Sequence, residues 1–236
     1  MDKVTLPKRF YKQANVVEEA QGFAILLDGR PIKTPAKTAL CVPTRSLAEA
    51  IAAEWERQGK TLDLQGMPLP RLATVAIART PETRDELAEE LTRYAGTDVT
   101  CNLAEAPAEL QARQDAAWKP WRDWAGKELG VVLVPVIGLM ASPQPEASLQ
   151  AVRAHALTLD DFRLTALTWA CSLFGSAVLA LAIEQGVVSA DIALAASCVD
   201  EDWQSEQWGE DEEAMAVRAA RKQDAESLQL WFEALR

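Results

Sequence analysis

Histidine occurs once, at His155, so no site built from several imidazoles can form. Cysteine is sparse too. Cys41, Cys101, Cys171 and Cys198 lie far apart, with no C-x-x-C pair and none of the dense spacing of a disulfide scaffold. Buried thiols in a reducing compartment are the expected state. Basic residues are outnumbered, 24 Lys and Arg against 35 Asp and Glu, giving a formal net charge of -11. That balance argues against a general nucleic-acid binder, which needs a basic face for phosphates. GxGxxG, GxSxG and HExxH are all missing, and scattered serines with one distant histidine make no triad. Gly59-Lys60-Thr61 imitates the end of a phosphate-binding loop. The glycine needed five residues before Gly59 is Glu54, however, and a helix ends at this point where one should begin.

Long apolar runs are nearly absent as well. The exception is Leu164–Ile183, which carries no charge and is long enough to span a bilayer. Thr165, Thr168, Ser172, Gly175 and Ser176 interrupt it, and no basic cluster flanks it to set an orientation. A buried helix broken near Gly175 is the expectation, without membrane insertion. The opening MDKVTLPKRFYKQ has neither the apolar core of a secretory signal nor a long Arg/Ser-rich transit pattern. A cytoplasmic bacterial protein is expected, or a mitochondrial matrix one if the chain is a trimmed organellar form.

What the sequence does contain changes period along its length. Phe23–Leu27 is an apolar run ending in Asp28-Gly29, a hairpin-turn dipeptide. Residues 31–35 would return and Ala39–Val42 would add a third strand, making a small antiparallel sheet. Ser46 and Glu49 then read as a capping box ahead of the stripe Leu47, Ala48, Ile51, Ala52 and Trp55. Met67–Pro70 reads as a rigid connection, and Thr80-Pro81 as a helix start with the stripe Leu87, Leu91 and Tyr94. Residues 107–129 read as helix interrupted at Pro120, Val131–Ile137 as a late strand, and 142–145 as a linker. Helices follow at about 146–157, 160–173, 175–185, 189–208 and 210–235, the last with Leu228, Trp231, Phe232 and Leu235 as its docking stripe. The fold class is α+β: a small antiparallel β-rich N-terminal domain over 1–65, then a larger α-helical domain over 66–236.

The most unusual segment is Asp200–Glu213, DEDWQSEQWGEDEE. It holds eight carboxylates and two tryptophans with no Lys or Arg, and so supplies most of the net charge. Indoles are usually buried, whereas clustered acids need water or a cationic partner. On a helix Glu206, Glu210 and Glu213 share one face and could hold a hard cation, the basis of a carboxylate-based, metal-dependent hydrolase as the alternative function. Acid-rich helices produce such triplets routinely, and a solvated face is the plainer reading. No catalytic, metal or cofactor-binding residue is therefore assigned. Trp203 and Trp208 stay open between burial with the acids turned outward and service as aromatic anchors of an interaction surface.

Seven pieces of the chain carry a resemblance. They are FYK at 10–12, GF and LDGRPIKTP within 22–35, PTRSLAEAIAAEW at 43–55, MPLPRLA at 67–73, YAGTD at 94–98, Gly175-Ser176, and VDEDWQSEQWGEDEEA at 199–214. In this order they resemble the ATP synthase assembly chaperones that hold the alpha subunit of the catalytic head before it joins beta. Pro70, Val99–Leu103 and Lys119 depart from the family pattern. The resemblance implies a two-part fold, no enzymatic activity, no cofactor, and the free alpha subunit as partner. It also implies a partner-binding set of Asp200, Glu201, Trp203, Gln204, Trp208, Glu210 and Asp211.

Overall fold

The computed structural model describes residues 6–138, 142–209 and 212–236. The fold is α+β and divides into two compact units: residues up to Glu82 with Leu230–Arg236, and Thr83–Gln229. The 65/66 boundary read from the sequence stays a proposal about which part folds independently.

In the first unit β2 (Gly22–Leu27) is central. It pairs antiparallel with β1 (Ala14–Glu19) along its whole length, from Ala14 opposite Leu27 to Glu19 opposite Gly22. Its other neighbours are β3 (Arg30–Pro31) at one end and β4 (Cys41–Val42) at the other. Asp28 and Gly29, at φ 48° and 79°, both adopt the left-handed conformation a two-residue hairpin turn requires. Gly22 is needed for space: a Cβ there would lie 2.4 Å from the Val42 carbonyl oxygen. β1 is absent from the sequence reading because its residues, mostly exposed, show no apolar alternation.

α1 (Arg45–Glu56) buries Leu47, Ala48, Ile51, Ala52 and Trp55, the stripe expected. Its cap differs. Thr44 is the N-cap, its hydroxyl accepting the Leu47 N–H at 3.2 Å, so Ser46 lies inside the helix and makes no capping box with Glu49. Glu49 pairs with Arg45 one turn away. Residues 68–70 are no connection. Pro68 and Pro70 open α2 (Pro68–Ala78), where a missing N–H costs nothing. The buried Glu54 carboxylate accepts the Leu69 N–H at 3.1 Å and so caps α2 from α1. Trp231 and Phe232, at the end of the last helix, are also fully buried.

The second unit is helical. α3 (Thr80–Gly96) begins at the expected Thr80-Pro81 and kinks at Thr83. α4 (Ala108–Leu129) runs without interruption through Pro120. Pro120 and Ala116, whose carbonyl loses its donor, are both exposed, so water can satisfy that group. Of Val131–Ile137 only β6 (Val136–Ile137) is strand, pairing in parallel with β5 (Asn102–Leu103). Gln144, in the expected linker, is buried and hydrogen-bonds both backbone groups of Val134.

Then come α5 (Glu146–Thr158), α6 (Asp161–Phe174), α7 (Ala177–Glu184), α8 (Ala190–Ser197), α9 (Val199–Trp208) and α10 (Glu212–Ala234). Gly175, at φ 62°, splits the uncharged run into α6 and α7. Among the described residues no helix is long and apolar enough to cross a membrane. Every residue of α7 is buried, with α4, α6 and α8 packed against it. The one histidine serves this core. His155 lies 3.2 Å from the Glu184 carboxylate, which Arg163 and Gln185 also engage. Burial raises the Glu184 pKa, but those three hydrogen bonds outweigh it and hold the carboxyl below its usual range. The helix expected over 189–208 is two helices, divided at Cys198, where φ -108° and ψ 12° leave the helical region.

Candidate functional site

α9 carries the first half of the acidic segment. Three acids, Asp200, Glu201 and Asp202, sit in its first turn, where the positive end of the helix macrodipole favours them. Gly209, at φ 83°, ends it one residue after Trp208. Glu210 and Asp211 lie outside the described residues.

The acids of α9 are not bare. The segment has no Lys or Arg of its own, but neighbouring helices supply cations and an amide. From α4, Arg113 grips Glu206 through both guanidinium nitrogens at 2.7 and 3.0 Å, and Gln114 donates to Asp200 at 2.6 Å. From α10, Arg218 meets Asp202 at 2.6 Å and Arg221 meets Glu201 at 3.3 Å. Arg113 thereby holds the Glu206 carboxyl below its usual range, and Glu206 raises Arg113 in turn. The same guanidinium stands over the Trp203 ring, 5.1 Å from its centroid. The two-fold fork therefore orients an acid and an indole together.

The two tryptophans resolve differently. Trp203 is half-buried under Arg113, whereas Trp208 is 80% exposed at the end of α9. Gln204 and Glu201 are exposed, and Asp200 is half-buried. Asp200, Glu201, Trp203, Gln204 and Trp208 thus share one short helix, with Trp208 offering the largest unburied apolar surface. Of the triplet Glu206, Glu210 and Glu213, Glu206 is held by Arg113 and Glu210 lies outside the described residues, among which no group of three His, Cys, Asp or Glu is placed to bind a metal.

Reading the sequence alone missed Arg113, Gln114, Arg218 and Arg221. A partial signal existed for the last two: Arg218 and Arg221 stand three residues apart, on one face of the helix that follows the acids in sequence. For Arg113, some ninety residues away, no local signal exists.

A family model described as the ATP12 chaperone protein matches residues 8–126. The chain belongs to the ATP12 chaperone family. Among known members, the mitochondrial protein atp12 of Schizosaccharomyces pombe is 26% identical over 222 residues, which is 89% of this chain and 76% of that one. The crystal structure of Atp12 from Paracoccus denitrificans is 39% identical, with a TM-score of 0.90 over 98% of this chain and 99% of that one. The Atu1473 protein of Agrobacterium tumefaciens is also 39% identical, with a TM-score of 0.92 over 98% and 87%. The family model ends inside α4, but the structural likeness extends over nearly the whole chain, so the helical unit is shared as well. Members of the ATP12 family thus occur in bacteria and in mitochondria, and they share this α+β fold.

Proposed function

We propose that this protein is an ATP synthase assembly chaperone that binds the free alpha subunit of the catalytic head, shields it from aggregation and releases it to beta. Membership of the ATP12 chaperone family supports the general role. The observation that supports a binding face is Trp208, 80% exposed on a helix otherwise rich in acids. Burying an indole from water is worth about 2–3 kcal/mol, so leaving one exposed favours a partner that covers it.

An alpha subunit without beta exposes the apolar surface that beta later covers, and such a patch aggregates. α9 offers an apolar anchor, Trp208, on the same helix as Gln204, Glu201 and Asp200, with Trp203 held under Arg113. Glu210 and Asp211 extend the same acidic segment in sequence. The acids give the encounter its sign: they draw a basic region of the client and repel other acidic chains. Release needs no nucleotide and no bond chemistry, because beta competing for the same surface supplies the free-energy drop. The bacterial cytoplasm, or the mitochondrial matrix in an organellar setting, is where such a client is made or delivered.

Co-expression of this chain with a homologous alpha subunit tests the proposal. Soluble alpha should rise several-fold, the two should co-purify, and added beta should displace this chain. Alpha that stays equally soluble without this chain would refute the assignment.

A further inference from the structure

A second feature of the helical unit points to the form the partner takes. All nine residues from Glu212 to Ala220, the first two and a half turns of α10, are exposed, although the same helix is buried at Ala225 and Leu228. A helical stretch that faced water permanently would be polar all round. This one is EEAMAVRAA, six of nine residues apolar, with Met215 50% and Val217 55% exposed.

Beside it lies a trough of about 600 Å³, walled by α8, α9 and α10 and lined by the apolar atoms of Leu194, Ala195, Cys198, Ala214 and Val217. Its charges are arranged unevenly. Of the three cations on the α10 wall, Arg218 and Arg221 are answered by the α9 acids Asp202 and Glu201, and Lys222 by Glu226 one turn along α10 itself, at 4.0 Å. Asp191 on the α8 rim and Glu213 on the α10 rim also line the trough, and neither makes an ion pair among the described residues. Glu201, Ser205 and Trp208 follow at i, i+4 and i+7, one face of α9. The first two line the trough, and the exposed indole stands one turn beyond them.

We infer that this trough receives an amphipathic helix of the client, carrying its apolar face against α8 and α10 and at least one Lys or Arg toward Asp191 and Glu213. The inference rests on the chaperone reading for the source of that helix. Three observations favour a helical, basic occupant. The walls are themselves helices, so a further helix can seat its side-chain ridges between them, anchored at i, i+3, i+4 and i+7. The exposed stretch of α10 is about 13 Å long, matching two to three turns of such a partner. The unanswered rim charge is negative, which suits a basic helix and disfavours a second copy of a chain whose net charge is -11.

Hydrogen exchange on the full chain, free and in complex with the alpha subunit, tests this together with two plugging variants, Ala195→Trp and Ala214→Trp. Both positions are exposed, so neither substitution strains the core. Gln150→Trp, on exposed α5, is the control. The complex should slow exchange across Glu212–Ala220 by about tenfold or more, and each plug should weaken binding by at least about tenfold while the control does not. If the complex forms with both plugs at full affinity and α10 exchanges at its free rate, the trough assignment is overturned and the chaperone reading stands. If no complex with alpha forms, the chaperone reading fails, and a synthetic helix of about 14 residues with Leu at i, i+3, i+4 and i+7 and Lys at its ends decides the trough by calorimetry. Binding of that peptide, lost in the plugs, upholds the trough; no binding, or equal binding of a Glu-ended version, overturns it. Self-association abolished by the plugs would assign the trough to a second copy instead.

Discussion

The Asp98 carboxylate accepts the backbone N–H of Val178 at 3.0 Å, eighty residues away and fully buried. Its other oxygen accepts the Thr100 N–H at 3.0 Å and the Thr100 hydroxyl at 2.7 Å. Val178 stands in the first turn of α7, whose amides have no partner within the helix. Ser176 satisfies the next one, accepting the Leu179 N–H at 3.0 Å, and the Val99 N–H donates to the Gly175 carbonyl at 3.1 Å. The segment ending in Asp98 and the Gly175-Ser176 helix start are therefore two halves of one clasp, which sets where the wholly buried α7 begins.

Breaking that clasp should unfold the helical unit before it affects any partner. Asp98→Ala strands the Val178 and Thr100 donors and should lower unfolding stability by about 3 kcal/mol. Asp98→Asn keeps one acceptor oxygen and should cost about half as much. Urea unfolding followed by circular dichroism reads both. Equal midpoints for Asp98→Ala and the parent would show that the clasp does not hold α7.

Glu54 makes the first unit sensitive to pH. Burial is the main cause of a pKa raised from 4.5 to about 7, against the opposing Leu69 N–H, Arg57 and Arg71. Between those two values the folded state keeps a proton that the unfolded state releases. Its contribution is therefore complete below pH 4.5 and declines as the pH rises to about 7, by an amount on the order of 3 kcal/mol. Glu54→Gln stays neutral throughout and still offers an acceptor to Leu69, so its stability should be flat across that window. Urea midpoints at pH 5 and pH 8 check it: parallel curves for the two proteins would rule Glu54 out as the source.

Trp208 separates function from folding. With 80% of its surface exposed, replacing it should change stability by no more than about 0.5 kcal/mol. As an anchor of the client surface it should matter far more, with Trp208→Ala weakening the complex with the alpha subunit by at least about tenfold. Trp203→Ala should do both kinds of damage, because its ring lies under Arg113 and half-buried. Thermal melts and pull-downs on the same preparations compare them. A Trp208→Ala protein that binds alpha normally would remove α9 from the interface.

Some local signals in the sequence suffice, though not the capping box at Ser46, where Thr44 two residues earlier is the cap, nor residues 68–70, which open α2. Asp28-Gly29 forms the turn it encodes, the stripe from Leu47 to Trp55 is buried, and Gly175 breaks the uncharged run. Other misreadings arose where distant groups decide. Pro120 passes through α4 because its exposed side lets water take over for the lost hydrogen bond, and exposure is a tertiary property. β1 was invisible because a strand at the sheet edge needs little apolar alternation once β2 supplies its hydrogen bonds. At the candidate site the acids were plain, but their partners were not. Arg113 looks like any surface arginine until α4 places it beside Glu206 and Trp203.

Much of the acidic charge on α9 is already answered within the molecule, by Arg113, Arg218 and Arg221. Glu210 and Asp211, outside the described residues, are the part of the segment whose role in drawing the client can be tested. A double reversal, Glu210→Lys with Asp211→Lys, changes the net charge by four and replaces none of the six residues of those three pairs. Association with the alpha subunit should slow by roughly tenfold at low salt, with a smaller change in the dissociation rate, because exposed charges act mainly on encounter. Raising the ionic strength should erase the difference as screening shortens below about 10 Å. Stopped-flow association at several salt concentrations measures this. A reversal that leaves the low-salt rate unchanged would mean that the acids keep the chain soluble and take no part in capturing the client.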